Sequence, residues 1–236
     1  DLSPIQWRMY DILKKNSKHI ILAGDDDQAI YGWAGADVKR FQDEPAKDII
    51  LPQSYRVPGA VQAIANNILN RIPDHRRIKK NWKPREDVLL PIVEYISSVE
   101  DAPLHLGDWL ILARTNYRLK NLVPQLRERG LYFEIKNRKS YRTRLYKSIM
   151  DYTRWTNGDQ LSLSEIKDLF EFLEEEVPTE EVMYDLSKWG YSKTQRWFEV
   201  FKADPEECLY IREMMRNEEK LSKDPRIKLS TIHAAK

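Results

Sequence analysis

The chain has 236 residues, of which 42% are hydrophobic and 32% charged, with 8 glycines and 12 prolines. This is the make-up of one large or two small folded domains, and it excludes a disordered tail, a collagenous repeat or a low-complexity linker. Thirty-nine Lys and Arg against 37 Asp and Glu leave a net charge of +2, which selects no partner, and one cysteine, Cys208, excludes an internal disulfide and fits a reducing, cytoplasmic setting.

In chain order, Ser3-Pro4 reads as an N-cap with proline at the first helical position, followed by Ile5, Met9, Ile12 and Leu13 at helical spacing. Residues 19–24 (HIILAG) and 48–51 (DIIL) read as short buried strands. Pro58 opens an amphipathic helix whose stripe is Val61, Ile64, Ala65, Ile68, Leu69 and Ile72. Residues 89–97 and 109–113 read as strands. A helix through Leu119, Leu122, Val123 and Leu126 stops at Gly130, and 131–135 returns as a strand. Strand, helix, strand with short turns is the pattern of a parallel sheet covered by helices, an α/β fold. Beyond about residue 150, Ser162 and Glu165 form a capping box ahead of a helix, 179–189 closed by Gly190 is a second, and Asp204-Pro205 starts a third. Residues 151–225 thus read as a small, acid-rich, all-helical insertion, and 226–236 as a last strand running into a loop.

Charge is unevenly spread. Residues 71–85 hold seven basic side chains and one acid, and 136–147 hold six basic side chains and no acid, with Tyr141 and Tyr146 interleaved. Such stretches suit a nucleic-acid backbone with bases stacked beside it, and equally a solvated face. Residues 171–185 invert the balance, with seven acids.

Four segments can carry chemistry. AGDDDQAIYGWAGAD (23–37) delivers three acids, Gln28, Tyr31 and Trp33 from the end of an apolar run, the place where α/β proteins bind ligands. A glutamine there can donate to a phosphate oxygen, and Trp33 between Gly32 and Ala34 can stack on a base; an acidic turn with two core aromatics is the structural alternative. Asp25, Asp26 and Asp27 are adjacent, not alternating as in a calcium loop, so no metal site is expected. QSYRVP (53–58) sets Arg56 before a helix, where a guanidinium can grip a phosphate, with Tyr55 able to stack on a base; a surface arginine is the alternative. ARTN (113–116) and STIHAAK (230–236) are strand ends rich in short hydrogen-bonding groups suited to backbone phosphates. His19, His75 and His105 show no metal-ligand spacing, and the sequence has neither G-x-S-x-G nor Cys-x-x-Cys.

Together these segments form an ordered set. AGDDDQAIYGWAGAD resembles motif III of the UvrD/Rep-like superfamily 1 DNA helicases, QSYRVP resembles motif IV, ARTN motif IVa and STIHAAK the start of motif V. Asp1-Leu2-Ser3-Pro4-Ile5-Gln6 is similar to the segment just after the Walker B acids of that family, with Asp1 as the last aspartate of a D-E-x-Q-D motif. The resemblance implies an ATP-dependent DNA helicase moving 3′ to 5′ on single-stranded DNA and its junctions with duplex, or the helicase part of a helicase-nuclease. A silent single-strand-binding module that keeps the stacking aromatics is the rival from another class. It implies RecA-like, P-loop NTPase-type architecture: 1–55 as the end of a first domain, 56–150 with 226–236 as most of a second, and 151–225 in the slot of the accessory insertion. It implies Gln28 and Arg56 on the γ-phosphate of ATP as the catalytic pair, Tyr55 on the adenine, Tyr31 and Trp33 on bases, and Thr115, Asn116, Thr231 and His233 on the DNA backbone. The setting implied is the cytoplasm, the nucleoid, or a host cytoplasm for a viral chain, with no membrane partner. The sequence departs from the pattern at Gly32 and Ala34, where many relatives carry arginines. It contains no G-x-x-x-x-G-K-S/T, so most ligands for ATP and Mg2+ are expected outside these residues, which by themselves are expected not to hydrolyse ATP.

Overall fold

The computed structural model describes residues 2–30, 32–86 and 93–235. The chain divides into two compact units, Asp1–Tyr95 and Ile96–Lys236. The fold is mixed α/β, with parallel sheets and several helices.

The first unit opens with α1 (Pro4–Asn16), begun by a Ser3–Gln6 capping box with proline in the first turn. Its buried residues are Trp7 and Tyr10, packed edge to face at 5.3 Å. The aliphatic stripe read from the sequence faces outward: Ile5 is 77% exposed and Met9 63%. Arg40 of α2 (Val38–Gln42) lies 4.7 Å over Trp7 and grips Asp11 with two bonds of 2.6 and 2.7 Å. Strand β1 (Gln53–Pro58), α3 (Gly59–Leu69) and β2 (Lys83–Arg85) form a parallel strand–helix–strand unit.

Two strands expected from apolar runs do not form. Residues 19–24 and 48–51 are irregular, with Ile21, Ile49 and Leu51 strongly exposed. An apolar run becomes a strand only where a neighbour offers a ladder and a face to bury, and these segments have neither among the described residues. In the stretch 89–97, residues 89–92 lie outside the described residues and 93–97 are not strand.

The second unit is built on a four-stranded sheet in the order β3 (Trp109–Ala113), β6 (Ile227–Thr231), β4 (Phe133–Ile135), β5 (Arg138–Lys139). The first three are parallel, and β5 turns back through Lys136-Asn137, both at positive φ as a two-residue hairpin turn requires. Helix α4 (Asn116–Glu128) joins β3 to β4 and stops at Gly130, φ +59°. Helices α5 (Thr143–Thr156), α6 (Leu163–Leu173), α7 (Trp197–Val200) and α8 (Pro205–Arg216) share one hydrophobic core with the sheet, including Leu126, Leu145, Trp155, Phe170 and Ile227.

The Ser162–Glu165 capping box and the Asp204 cap form as read. Helix α5, which the sequence reading did not include, starts within the basic run 136–147 and continues beyond it. Tyr141 there is buried and donates to the Leu221 carbonyl, and Tyr146 packs on it at 5.3 Å, so both rings serve the core. The helix expected over 179–189 is only the 3-10 turn Leu186–Trp189, closed by Gly190 at φ +86°. Tyr184 instead exchanges two backbone hydrogen bonds with Leu161, 2.7 and 3.0 Å, which holds the chain extended there.

Candidate nucleotide and nucleic-acid sites

In the first unit the three acids of residues 25–27 make a compact ion cluster. Asp25 caps the 3-10 turn Asp26–Gln28, accepting from the Asp27 amide, and its carboxylate also accepts from the Gln28 side-chain amide. Asp26, with 1% of its side chain exposed, accepts from the Ile78 amide at 2.6 Å, from Gln42 at 2.8 Å and from Lys80. Asp27 is held by Arg77 through two bonds, 3.0 and 2.9 Å, while the Lys80 ammonium reaches Asp25 at 3.0 Å and Asp27 at 2.9 Å. Burial pushes the Asp26 carboxyl up, but the bonds from Lys80, Ile78 and Gln42 outweigh it and leave it below the usual range. Burial likewise pulls Lys80 down, and its three carboxylate partners overcome that and raise it. The two cations come from the basic run 71–85. Part of that run therefore serves as internal counter-charge, a role its composition alone did not show.

The donor set tests the cofactors directly. The acidic cluster does not fit Mg2+, because a lysine ammonium already occupies the position between the three carboxylates. For a nucleotide, the chain offers separate parts. Tyr55, 82% exposed, and Arg56, also exposed, stand side by side on β1 itself, where the Ser54 hydroxyl accepts from the Arg56 and Val57 amides at 3.3 and 3.1 Å. Although adjacent along the strand, the two side chains leave it on opposite faces, so they are separate groups, an exposed ring able to stack on a base and an exposed guanidinium able to grip a phosphate. Trp33 is 77% exposed in the 3-10 turn Gly32–Ala34, which Gly35 ends at φ +82°. Tyr31 lies outside the described residues.

In the second unit the ends of two parallel strands bring two predicted segments together. Ala113, the last residue of β3, pairs with Thr231, the last of β6. The Ile232 amide donates to the Ala113 carbonyl at 3.1 Å, and the Thr231 carbonyl accepts from Ala234 and Ala235, folding His233 into a turn. Thr115 caps α4 with its hydroxyl and Asn116 is the first helical residue. Four expected contacts, Thr115, Asn116, Thr231 and His233, thus come from adjacent strand ends, the crevice where open α/β sheets bind ligands. Sequence reasoning passed over Arg114, Tyr117 and Arg118, which are exposed around the same strand end, Tyr117 by 72%. Their signal was present: Arg114 within ARTN, and a ring and a second cation, Tyr117 and Arg118, directly after it.

Residues 1–47 match the model of the UvrD/REP helicase N-terminal domain. An ATP-dependent DNA helicase PcrA of Staphylococcus epidermidis is 23% identical over 92% of this chain and 33% of its own length. An ATP-dependent DNA helicase Rep of Buchnera aphidicola is 28% identical over 73% of this chain and 26% of its own. A DNA helicase II of Haemophilus influenzae is 35% identical over 36% of this chain and 12% of its own. The chain therefore spans a third or less of the length of these curated relatives. The N-terminal match, the breadth of the PcrA alignment and the ordered motifs agree, and the chain is UvrD/Rep-like, a relative of these DNA helicases.

Proposed function

We propose that the chain is the middle part of an ATP-dependent DNA helicase that moves 3′ to 5′ on single-stranded DNA and acts at its junctions with duplex in the cytoplasm. In this reading residues 1–55 close a first RecA-like domain. Residues 56–150 and 226–236 make most of a second, with 151–225 in the accessory position. The observation that carries it is the placement of ARTN and STIHAAK on adjacent parallel strand ends. Thr115, Asn116, Thr231 and His233 there present short polar groups to a phosphate backbone, and Tyr31 and Trp33 offer rings to bases.

ATP, when bound, supplies the phosphoryl-transfer free energy that drives stepping. Gln28 and Arg56 are the groups of this chain that act on its terminal phosphate, the amide orienting and the guanidinium stabilising charge, while Tyr55 holds the adenine ring. Residues 1–236 contain no phosphate-cradling G-x-x-x-x-G-K-S/T. Two donors and a ring on an open surface bind ATP only in the millimolar range, on the order of −4 kcal/mol. A silent single-strand-binding module is the second reading, favoured by the exposed Trp33 ring, which needs no nucleotide to stack on a base.

Calorimetry and phosphate-release assays on residues 1–236 test the first reading. Weak, salt-sensitive single-strand binding without ATP turnover is expected. Micromolar ATP binding or DNA-stimulated turnover by these residues alone would overturn the assignment of the missing ligands, and absence of any DNA binding would overturn the helicase reading. The intact protein separates the two readings: ATP-driven unwinding supports the motor, and its absence supports the silent module.

A further inference from the structure

The second unit carries a groove of about 300 Å3 between the C-terminal half of α5 and residues 193–198. That volume is at the lower end of small-ligand sites. Tyr152, Trp197 and Phe198 line it with aromatic surface, together with Thr153, Thr156, Lys193 and Arg196. Phe198 is 36% exposed, and two guanidiniums approach its ring, Arg196 at 5.7 Å and Arg212 of α8 at 5.4 Å.

The cations at this rim differ from those nearby. Arg144, Lys147 and Arg154 of α5 are each committed to acids of α6, Asp168, Glu171 and Glu165 among them. Among the described residues, no carboxylate lies within ion-pair distance of the Lys193 or Arg196 head group, and Lys193 rests instead 6.0 Å over the Trp155 ring. Two acids, Asp185 and Glu199, stand in the neighbourhood, ionised and held by neutral donors rather than by these cations. Asp185 accepts from the Ser187 amide and from Trp155, and Glu199 accepts from the Arg196 amide. The rim therefore presents two cationic head groups without a direct ion pair beside aromatic surface, the pairing that takes phosphates and bases of a single strand. Arg212, outside the groove and at the edge of ion-pair distance from Glu213 at 4.0 Å, extends the cationic and aromatic surface past Phe198, which favours a strand running through over a single nucleotide held within.

We propose that this groove is a second contact for single-stranded DNA, with one base against Phe198 and the edge of Trp197 and the flanking phosphates on Lys193 and Arg196. The proposal rests on the reading of the chain as part of a DNA-translocating protein, and adds a strand contact on the helical part of the second unit, separate from the strand-end residues.

Fluorescence anisotropy of a labelled oligo-dT titrated with residues 1–236 between about 50 and about 200 mM salt tests it. The double variant Lys193→Ala, Arg196→Ala is expected to bind at least about 5-fold more weakly, with the slope of log affinity against log salt reduced by about 1.4, since each single-strand phosphate contact accounts for about 0.7. Phe198→Ala is expected to lose about 10-fold in affinity with the slope unchanged. Lys193→Arg with Arg196→Lys is expected to keep the slope, which a merely structural loss would not allow. An unchanged slope in the double alanine variant, with helix content and melting intact, would overturn the groove assignment. So would displacement of the oligonucleotide by dTMP at equal nucleotide concentration, which would mark a free-nucleotide site. Trp33→Ala runs in parallel: loss of affinity there without loss in the groove variants overturns the groove alone, whereas no binding by any form overturns the DNA reading as well.

Discussion

Arg56 is one exposed guanidinium on a short strand, and among the described residues nothing diverts it: its backbone, not its side chain, is what Ser54 holds. If it stabilises charge on a terminal phosphate, Arg56→Ala in the intact protein should cut ATP turnover by about 10³-fold while nucleotide binding weakens far less. Near-normal turnover would return Arg56 to the status of a surface residue. Trp33 poses the matching question for DNA. With 77% of its surface open, an alanine there should cost about 1–3 kcal/mol of single-strand affinity without altering the melting temperature. A fall in melting temperature with affinity unchanged would mark the ring as structural. Gln28 differs from both, because its side-chain amide is already bonded to Asp25. Its availability to a phosphate depends on a network that runs through Lys80 to residues 26 and 27. That dependence was illegible in the sequence, where Lys80 stands more than fifty positions away in a run that reads as a solvated basic face.

At the scale of elements, the local rules worked where a segment carries its own signals. The caps at Ser3, Ser162 and Asp204, and the stop at Gly130, were readable because each involves residues a turn apart. Gly130 also shows why that stop tolerates no side chain. A Cβ there would sit 2.7 Å from the Asn217 amide nitrogen and 3.0 Å from the Glu213 carbonyl carbon, at a φ that side chains avoid. Gly130→Ala should therefore lower stability by about 2 kcal/mol or more, read as a shift in urea midpoint with unchanged slope. Where an element's fate depends on distant chain, reading failed. HIILAG and DIIL have strand composition but no ladder, α5, starting within a basic run, was not read as a helix, and residues 179–185 were drawn out of helix by Leu161. Candidate sites followed the same division. The motif segments could be found one by one, but the adjacency of ARTN and STIHAAK, more than a hundred residues apart, is a product of sheet order.

Across the whole molecule, acid should act on each unit through carboxylates that the fold holds ionised. Asp185 in the second unit is lowered to about 2, first by the Ser187 amide and hydroxyl and then by Trp155, and Asp26 in the first is lowered by its partners despite burial. A carboxyl whose folded value is depressed lends stability in full above its unfolded value near 4, and that contribution drains away as pH falls toward the folded value. Asp151 runs the other way: burial raises it, so its charged form costs stability as pH climbs past its unfolded value. Denaturant midpoints should thus hold from neutral pH to about 5 and decline between about 4 and about 2. Asp185→Asn should flatten the decline of the second unit, and an unaltered acid limb in that variant would disprove the contribution. The order of the four-stranded sheet carries a further consequence, for the path by which it assembles. Strand β6 lies between β3 and β4 and is hydrogen-bonded to both, although it is the last of the three along the chain. Until it arrives, β3 and β4 face one another across an empty lane, each with an unpaired edge open to a wrong neighbour. The helices can gather early, but the sheet is keyed in last, by a strand that must close a loop of more than a hundred residues. Assembly of this unit should accordingly be slow and governed by topology more than by helix formation.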